Sequence, residues 1–388
     1  MLCAGTSWDG MFFPERHIAE RLANYCTVLY VDPPLTILAK WRRPELAASL
    51  RRPHFRQVAH NLYRVTPLAP PFQSVRGSSA LCGALLRRTV GSAVKRIGRP
   101  VKAVIVANAD GRLDIVEAQR RIVYAFDDVT AGAELMGLAP SALIRAQQHH
   151  LQMATDVIAI SPTLVERWNQ LGHQAVLIPN GCDAEAFSSC DQVDMPSDVT
   201  LPGPIAGYIG HISDRIDFGI LTSLAQEGIS LLLVGPASHE SDRKQLDRLL
   251  EHPSVQWVGK KSFAEMPSYL RAIDVGITPY RDNAFNRASF PLKTLEYLAA
   301  GRAVVSTPLP VTTWLNTDLI VTADPENFAT AVQLELRALR TEERVAERRR
   351  FARLHTWDHR VDDLVRLLNV QPATTVGRAD TCCMQLNR

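Results

Sequence analysis

The chain has 388 residues, of which 46% are hydrophobic and 21% charged, and its formal net charge is +3. This length allows two domains with sizeable cores, and no apolar run approaches the ~20 residues that a membrane-spanning helix needs. The first residues, MLCAGTSWDG, lack a basic stretch followed by an apolar one, so we predict no signal peptide. The seven cysteines show no metal-ligand spacing, which indicates reduced thiols in a cytoplasmic protein.

Short apolar runs alternate with helix-length segments in the first half of the chain, a pattern typical of parallel α/β architecture. The runs predicted as strands are TVLYVD (27–32), KAVIVAN (102–108), RIVYAFD (121–127), DVIAIS (156–161) and AVLIP (175–179). The predicted helices cover residues 13–24, 79–97, 140–153 and 161–171. We therefore expect a first Rossmann-like, doubly wound domain over residues 1–182.

The same alternation returns after a stretch rich in Gly, Pro, Ser and Asp, which we predict to be a linker over residues 183–203. The later strand-like runs are IAGYIG (205–210), SLLLVG (230–235), VQWVG (255–259), DVGITPY (274–280), RAVVST (302–307) and LIVTA (319–323). Predicted helices cover residues 217–227, 240–251, 263–272, 291–300 and 325–340. This pattern indicates a second doubly wound domain over 204–340, C-terminal helices over 341–370 and a disordered tail over 371–388. The cleft between the two domains is the expected ligand site.

One segment of the chain is strongly basic. Residues 40–102 contain fourteen Lys and Arg but a single acid, Glu45, so the segment carries +13 and the rest of the chain −10. Within it, LLRRTVGSAVKRI (85–97) interleaves basic and apolar residues, which favours binding to an anionic membrane surface or an anionic acceptor. A solvated basic surface is the alternative. Nucleic acid is disfavoured, because no recognisable nucleic-acid module accompanies the segment.

Two segments of the second domain suit an anionic ligand. In GYIGHISDRIDF (207–218) a glycine turn follows a strand at Gly210, and Arg215 is placed to bind a diphosphate, with an ordinary surface arginine as the alternative. In FPLKTLEYLAAGRAVVST (290–307) the side chains of Lys293 and Glu296 share one helix face near the positive N-terminus. The alternative for this second pair is a surface ion pair without a ligand.

Four segments occur in the order and spacing of one known family. They are IAISPTLVERWNQLGHQAVLIPNGCD (158–183), YIGHISDRID (208–217), VQWVGKKSFAEMPSYLRAIDVGITPY (255–280) and FPLKTLEYLAAGRAVVST (290–307). Together they resemble the retaining nucleotide-sugar glycosyltransferases of the glycosyl transferases group 1 type, which have the GT-B fold. The segment SWDGMFFPERHIAERLANYCTVLYVDPP (7–34) resembles the teichuronic-acid-biosynthesis branch. The resemblance covers residues 5–368.

This resemblance implies roles for the residues of the second domain. Glu296 would hold the nucleotide ribose, while Lys293 and Arg215 would neutralise the departing diphosphate. The base would lie near Val258, Gly259 and Lys260. Many relatives carry a further glutamate eight positions before Glu296, where this chain has Ala288, so the usual contact to the donor sugar is missing. Polar residues near that position that can supply contacts instead are Asn283, Asn286, Arg287 and Ser289.

In the first domain the resemblance implies a catalytic polar residue at the end of a strand. FDDV (126–129) offers Asp127 and Asp128 there, and a carboxylate could orient the sugar or the acceptor hydroxyl. A turn or helix cap is the alternative role for these aspartates. The loop with Asp9 and Gly10 would line the other wall of the cleft, and Arg16 could assist. We expect His149 and His150 to lie at the surface of a helix.

The resemblance implies a metal-independent hexosyltransferase without a cofactor. It would move a sugar from a nucleoside-diphosphate-sugar to a hydroxyl of a glycolipid or polysaccharide precursor, with retention at the anomeric carbon. The expected partners are the nucleotide-sugar donor, a glycan or lipid-linked acceptor and an anionic membrane surface. The expected location is cytoplasmic, peripheral at the inner face of the plasma membrane. Two alternatives stay open: a GT-B-fold nucleotide-sugar epimerase, which needs no acceptor, and a non-catalytic glycosyltransferase-like partner subunit.

Overall fold

The computed structural model describes residues 1–10, 13–36, 54–69, 78–108, 111–133, 140–237 and 240–370. Within these ranges, no helix combines the length and the apolar character that crossing a membrane would require. The predicted tail, 371–388, and parts of the basic segment lie outside the described residues.

The first half of the chain forms strands at all five positions predicted from the apolar runs, and at five further positions. In chain order the strands are β1 (Leu2–Cys3), β2 (Val28–Val31), β3 (Leu35–Thr36), β4 (Phe55–Ala59), β5 (Leu62–Val65), β6 (Leu68–Ala69), β7 (Ala103–Val106), β8 (Arg120–Ala125), β9 (Asp156–Ala159) and β10 (Ala175–Leu177). Eight of them form one sheet in the order β10-β9-β8-β7-β1-β2-β5-β4. This sheet is parallel except for β4, which runs antiparallel to β5, while β3 and β6 pair separately.

Four helices accompany this sheet among the described residues, each within three residues of its predicted bounds. They are α1 (Pro14–Leu22), α2 (Ser78–Ile97), α3 (Pro140–Met153) and α4 (Pro162–Gln170). Proline stands at the start of α1 and α4, where its missing N–H costs nothing. In α4, the Ser161 side chain also accepts the N–H of Leu164, so the sequence signals for this helix start are purely local.

The second half contains all six predicted strands. They are β11 (Ile205–Ile209), β12 (Ser230–Val234), β13 (Val255–Trp257), β14 (Val275–Thr278), β15 (Ala303–Ser306) and β16 (Ile320–Thr322). They form an entirely parallel sheet in the order β13-β12-β11-β14-β15-β16. The direction of strand addition reverses between β11 and β14, and in such sheets ligands bind beside the carboxyl ends of the two strands at the reversal.

The helices of this half match the predicted ones and add three short helices. In chain order they are α5 (Ala184–Ser188), α6 (Phe218–Gln226), α7 (Glu240–Leu249), α8 (Met266–Ala272), α9 (Ala284–Ala288), α10 (Leu292–Ala299), α11 (Pro310–Leu315), α12 (Phe328–Arg337), α13 (Glu342–Arg353) and α14 (Trp357–Leu368). The short helix α5 lies inside the predicted linker.

The last helix, α14, returns to the first domain and packs along α1. The hydroxyl of Tyr25, in the loop after α1, donates to Asp362 Oδ1 of α14 at 2.7 Å. At the crossing, Gly181 has no room for a side chain, because a Cβ there would lie 2.5 Å from the backbone of Thr356 and Trp357. The chain therefore passes between the domains twice at one place, once in the linker and once before α14.

The basic segment is partly neutralised inside the fold. Arg64 is only 2% exposed and pairs with Asp32 at 2.6 Å and with Asp9 at 2.7 Å. Arg87 pairs with Asp114, also at 2.6 Å. These acids lie outside the segment, so its surface carries less positive charge than the count of +13 indicates. Arg64 is therefore not part of an exposed basic face.

Candidate functional site

Arg215 is held as a fixed cation at the point where the second sheet reverses its order. It lies in the loop after β11, and its Nε donates to Asn286 Oδ1 at 3.0 Å. Its guanidinium also stacks on Phe285 at 4.8 Å and on Tyr280 at 5.3 Å. Among the described residues, no carboxylate lies within ion-pair distance of Arg215, although it is half-buried. This arrangement leaves a positive charge available to an anionic ligand.

Glycines bring the loops at this sheet edge close together. Gly210 ends β11, and Gly235 after β12 has φ of +143°, with a Cβ position only 1.8 Å from the Gly210 carbonyl oxygen. No other residue fits at Gly235. After β13, Val258 and Gly259 are half-buried, and a Cβ on Gly259 would meet no atom within 4 Å. The space in front of Gly259 is therefore open, in the region where the base was expected.

Helix α10 brings Lys293 and Glu296 to the same edge, as its sequence pattern predicted. The helix starts after Pro291, and the Lys293 ammonium donates to Glu296 Oε2 at 2.7 Å. Glu296 is only 7% exposed. Each side chain of this pair therefore has an ionic partner in the ligand-free protein. A phosphate would have to compete with Glu296 for the ammonium group of Lys293.

The position that lacks the family glutamate makes a backbone contact between the domains. Ala288 is 1% exposed, and its carbonyl oxygen accepts the Ser161 hydroxyl at 2.5 Å. The four nearby polar candidates are engaged locally: Asn283 caps α9, Asn286 holds Arg215, Arg287 pairs with Asp282 and Ser289 donates to the Phe285 carbonyl. Replacement contacts to a donor sugar would have to displace these bonds.

The two adjacent aspartates after β8 have different surroundings. Asp128 is 5% exposed, and its Oδ1 accepts both the Thr130 hydroxyl and the Ala131 N–H at 2.9 Å. Its other oxygen pairs with Arg167. Asp128 thus serves the turn, the alternative left open by the sequence, and both of its oxygens are engaged by protein groups. Asp127 is therefore the remaining candidate for the catalytic residue at this strand end.

Asp127 faces Arg215 across the space between the domains. Asp127 is exposed to solvent, and neighbouring protein groups raise its pKa by desolvation, against a smaller opposing effect of Arg215. The raised pKa of Asp127 and the nearby cation are a common combination at catalytic sites, although structural networks also produce it.

Glu15 is a second carboxyl group at this edge, and the sequence analysis missed it. It lies in the first turn of α1, is 5% exposed and accepts the Gly5 N–H at 3.2 Å. Desolvation by burial raises its pKa to about 7, and the charge of Asp127 adds to the rise. An acidic residue in a first helical turn looks ordinary in sequence, so only the packing of α1 under the β1 loop shows that it is buried.

Asn108 is the other residue missed. It follows β7, and its Nδ2 donates to the Ala4 carbonyl at 2.6 Å, while its Oδ1 is buried without a hydrogen-bond partner among the described residues. A polar residue at the end of a predicted strand was a usable signal, the same one that identified Asp127. The expectation for the two histidines holds for His149 only, because His150 is 4% exposed and its Nε2 lies 2.8 Å from the Gly111 carbonyl oxygen.

The loop with Asp9 and Gly10 is fixed by the first domain itself. Asp9 pairs with Arg64 at 2.7 Å, and the Gly10 N–H donates to the Ser7 carbonyl at 2.9 Å. Arg16 stacks on Trp8 at 4.5 Å and bonds Glu20. Gly10 is exposed, while Asp9 and Arg16 are engaged in holding the loop.

His17 connects the two walls of the cleft. Its ring stacks on Trp357 at 5.0 Å and meets the edge of Phe263 at 5.7 Å. Burial, together with the charges of Arg21, Arg16 and Lys293, lowers the His17 pKa to about 3. Helix α1 of the first domain therefore lies close to the start of α10, which carries Lys293.

Comparison with known proteins identifies the second domain. Residues 204–337 match the family model described as Glycosyl transferases group 1. These residues form a glycosyl transferases group 1 domain. They include Arg215, Gly259, Lys293 and Glu296 of the site.

Two curated relatives are similar to part of the chain. TuaH of Bacillus subtilis, described as a teichuronic acid biosynthesis glycosyltransferase, is 32% identical over 201 residues, 50% of each protein. The phosphatidyl-myo-inositol mannosyltransferase of Mycobacterium tuberculosis is 30% identical over 161 residues, 39% of this chain and 40% of that protein. The chain thus matches half or less of the length of these relatives.

Solved structures resemble nearly the whole chain. A sucrose-phosphate synthase from Thermosynechococcus elongatus has a TM-score of 0.72 at 17% identity, covering 95% of this chain and 97% of its own. HepE of Anabaena, in complex with UDP and glucose, has a TM-score of 0.65 at 15% identity, covering 95% and 99%. The fold is GT-B: two Rossmann-like domains with a cleft between them.

Proposed function

We propose that this chain is a glycosyltransferase that moves a sugar from a nucleoside-diphosphate-sugar to a hydroxyl of a glycolipid or polysaccharide precursor. The observation that carries the proposal is Arg215, which is fixed at the reversal point of a parallel sheet, faces Asp127 and has no carboxylate within ion-pair distance in the part of the chain that the structure describes. The family model that matches residues 204–337 and the activities for which the relatives are named support the same reaction class.

The donor would bind along the carboxyl edge of the second sheet. Its diphosphate would lie between Arg215 and Lys293, and its ribose hydroxyls would reach Glu296. Its base would occupy the open space at Gly259. Binding of phosphate to Lys293 would free Glu296 from its resting ion pair, so that the carboxylate can accept hydrogen bonds from the ribose.

The first domain would hold the acceptor. Asp127 would accept a hydrogen bond from the attacking hydroxyl and orient its oxygen towards the anomeric carbon. As the bond to that oxygen forms, the bond from the anomeric carbon to the phosphate oxygen breaks, the hydroxyl proton passes to Asp127, and the diphosphate leaves as an anion. Arg215 and Lys293 would offset the negative charge that develops there. Retention at the anomeric carbon is part of this proposal and rests on the family resemblance.

A nucleotide screen by thermal unfolding tests the donor site. We expect one family of nucleoside diphosphates and their sugar conjugates to raise the Tm of the purified chain, because a ligand that binds only the folded state stabilises it. Glu296→Gln should weaken that binding by about 1–3 kcal/mol, since it removes charged hydrogen bonds. Glu251→Gln, an exposed change distant in sequence, is the control. If the well-folded chain shows no change in Tm with any nucleotide, the proposed donor site is wrong.

Peripheral attachment to an anionic membrane is the second part of the proposal. The exposed residues of α2 include Leu81 and Leu85, followed on the same face by Arg88 and Lys95. Such a face suits the boundary between lipid headgroups and acyl chains.

Vesicle sedimentation tests this attachment. We expect binding to vesicles with anionic lipid, weaker binding as salt rises and a further loss in Leu81→Ser/Leu85→Ser. Leu339→Ser, at an exposed leucine outside α2, is the matched control. Equal binding to neutral vesicles at high salt would contradict the electrostatic part.

A further inference from the structure

A groove of about 530 Å³ lies where the linker runs past α13. One wall is formed by Asp191, in a short 3-10 turn of the linker, Cys190–Gln192. The other wall belongs to α13 and to the residues just before it, and the structure describes the chain through both walls, 140–237 and 240–370. We call this feature the Asp191 groove. Its lining residues are Asp191, Arg340, Glu342, Val345, Ala346, Arg349 and Arg353.

The Asp191 groove lies at the opposite edge of the second sheet from the proposed donor site. Arg302 immediately precedes β15, and its Nη2 donates to Asp191 Oδ1 at 2.6 Å. Asp191 is therefore near the amino edge of the sheet, whereas Arg215 follows the carboxyl end of β11. A ligand in the groove would not be the sugar donor, so this inference does not depend on the proposed transferase function.

Three guanidinium groups converge on the single carboxylate of Asp191. Besides Arg302, Arg340 lies 2.9 Å and Arg349 lies 2.7 Å from Asp191 Oδ2. Arg302 is only 1% exposed, so Asp191 must remain its counter-ion, because a buried charge without a partner is costly. One carboxylate cannot neutralise three cations. Arg340 and Arg349 therefore bring surplus positive charge to the groove.

Arg353 adds another cation to the same side of α13. It follows Arg349 by four residues, so the two side chains share one face of the helix. Arg353 is exposed, and no carboxylate lies within ion-pair distance of it in the described part of the chain. Glu342 is the second acid of the lining, but Asp191 is already shared with a buried arginine. The groove as a whole is therefore electropositive.

The cations of the groove can be reached from solvent. The side chains of Arg340 and Arg349 are 38% and 22% exposed, and Arg353 is exposed as well. Guanidinium groups present planar pairs of N–H donors that match the oxygens of a phosphate. The groove also falls within the range of about 300–1,000 Å³ that is usual for small-molecule sites. Val345 and Ala346 offer apolar contacts to the rest of such a molecule.

We propose that the Asp191 groove binds the phosphate group of a small molecule through Arg340, Arg349 and Arg353. Arg340 and Arg349 turn some of their N–H donors from Asp191 to the phosphate, while Asp191 keeps Arg302 as its partner. The ligand thereby joins the linker to the helix that precedes α14. These are the two segments through which the chain passes between the domains.

Isothermal titration calorimetry with inorganic pyrophosphate tests this site, at a constant ionic strength of about 0.15 M because salt screens exposed charges. The background protein is Arg215→Gln, which lacks the fixed cation of the cleft. We expect Arg353→Gln in this background to weaken pyrophosphate binding about tenfold, since it removes a charge-assisted hydrogen-bond donor. Arg350→Gln is the matched control, because Arg350 is an exposed arginine of α13 outside the lining of the groove. It should leave the Kd unchanged.

Arg340→Gln provides a second variant that is expected to fold. Asp191 keeps both Arg302 and Arg349 as partners when this arginine is replaced. Combined with Arg353→Gln, it should abolish the binding of pyrophosphate that remains in the background protein.

Two results would overturn the proposal. One is an equal Kd for Arg353→Gln and its control Arg350→Gln, and the other is a well-folded background protein that does not bind pyrophosphate. In either case the arginines around Asp191 would only connect the linker to α13, and the proposed transferase function would be unaffected.

Glucose 1-phosphate and inorganic phosphate distinguish the source of the phosphate group. Tighter binding of glucose 1-phosphate that is lost in Arg353→Gln would support an organic phosphate that also contacts Val345 and Ala346. Equal binding of both compounds, lost in the same variant, would support free phosphate as the ligand. Binding of either compound that persists in Arg353→Gln would belong to the cleft and would count against the groove.

Discussion

Glu15, a carboxyl group at the cleft, lies where protein atoms displace water from its charged form. Glu15 has no cation within ion-pair distance in the part of the chain that the structure describes, and its pKa rises from 4.5 to about 7. Since the folded protein then holds this proton to a higher pH than the unfolded chain does, the free energy of unfolding falls as pH rises from about 4.5 to about 7.

Replacing Glu15 should expose this dependence. We expect Glu15→Gln to gain stability relative to the parent chain between pH 5 and pH 8, by up to about 3 kcal/mol. The reason is that glutamine keeps an acceptor for the Gly5 N–H without a charge to bury. The measurement is the difference in Tm between the two proteins at each pH. Glu20→Gln, on the same helix but partly exposed, should show no such trend. A constant Glu15→Gln difference across this pH range would contradict the buried charge.

Local sequence patterns were sufficient to nominate Arg215, Lys293 and Glu296, because each is tied to a strand end or a helix start. They were not sufficient to separate Asp127 from Asp128, since the turn that occupies Asp128 depends on Arg167 from α4. Glu15 and Asn108 gain their surroundings from elements far along the chain. The site roles of all these residues stay predictions until they are tested.

At the scale of elements, every strand with a continuous apolar run was predictable, whereas β1 was not. It consists of Leu2 and Cys3, which pair with β2 on one side and β7 on the other. A two-residue strand has no periodicity to detect, and its neighbours in the sheet determine its conformation. The one-turn helices α5 and α9 were missed for the same reason.

The contact of α10 with the second sheet depends on the absence of a side chain at Gly276 in β14. A Cβ there would lie 2.2 Å from the Tyr297 ring, and the Tyr297 hydroxyl accepts the Ile209 N–H at 2.8 Å. We expect Gly276→Ala to cost about 1–3 kcal/mol in unfolding free energy by overpacking. It should also weaken nucleotide binding, because α10 carries Lys293 and Glu296.

Thermal unfolding and nucleotide titration check both parts of the Gly276→Ala prediction. Gly91→Ala is the control, since Gly91 lies in helix α2 with no atom near its Cβ position. That change should be neutral or slightly stabilising. A Gly276→Ala chain as stable as the parent would show that α10 can shift without cost.

At the scale of the whole molecule, three separate parts of the chain meet at His17. Trp357 at the start of α14 stacks on its ring, and Phe263 of the second domain meets its edge. The cations that surround it are Arg16 and Arg21 on its own helix and Lys293 on α10. A proton on His17 would therefore be buried among positive charges. This place is the junction at which α14 and the linker connect the two domains.

Acid should weaken the packing at this junction. Because the folded pKa of His17 is about 3 against an ordinary 6.5, its contribution to stability is complete above pH 6.5 and is lost as pH falls towards 3. Lowering the pH from 7 to 5 should thus cost the parent chain about 2 kcal/mol at this residue. His17→Phe keeps a ring between Trp357 and Phe263 but cannot take a proton, so its Tm relative to the parent should rise over that interval. His149→Phe, at an exposed histidine, should leave the difference unchanged. A flat His17→Phe difference would mean that His17 opens to solvent and is protonated without strain.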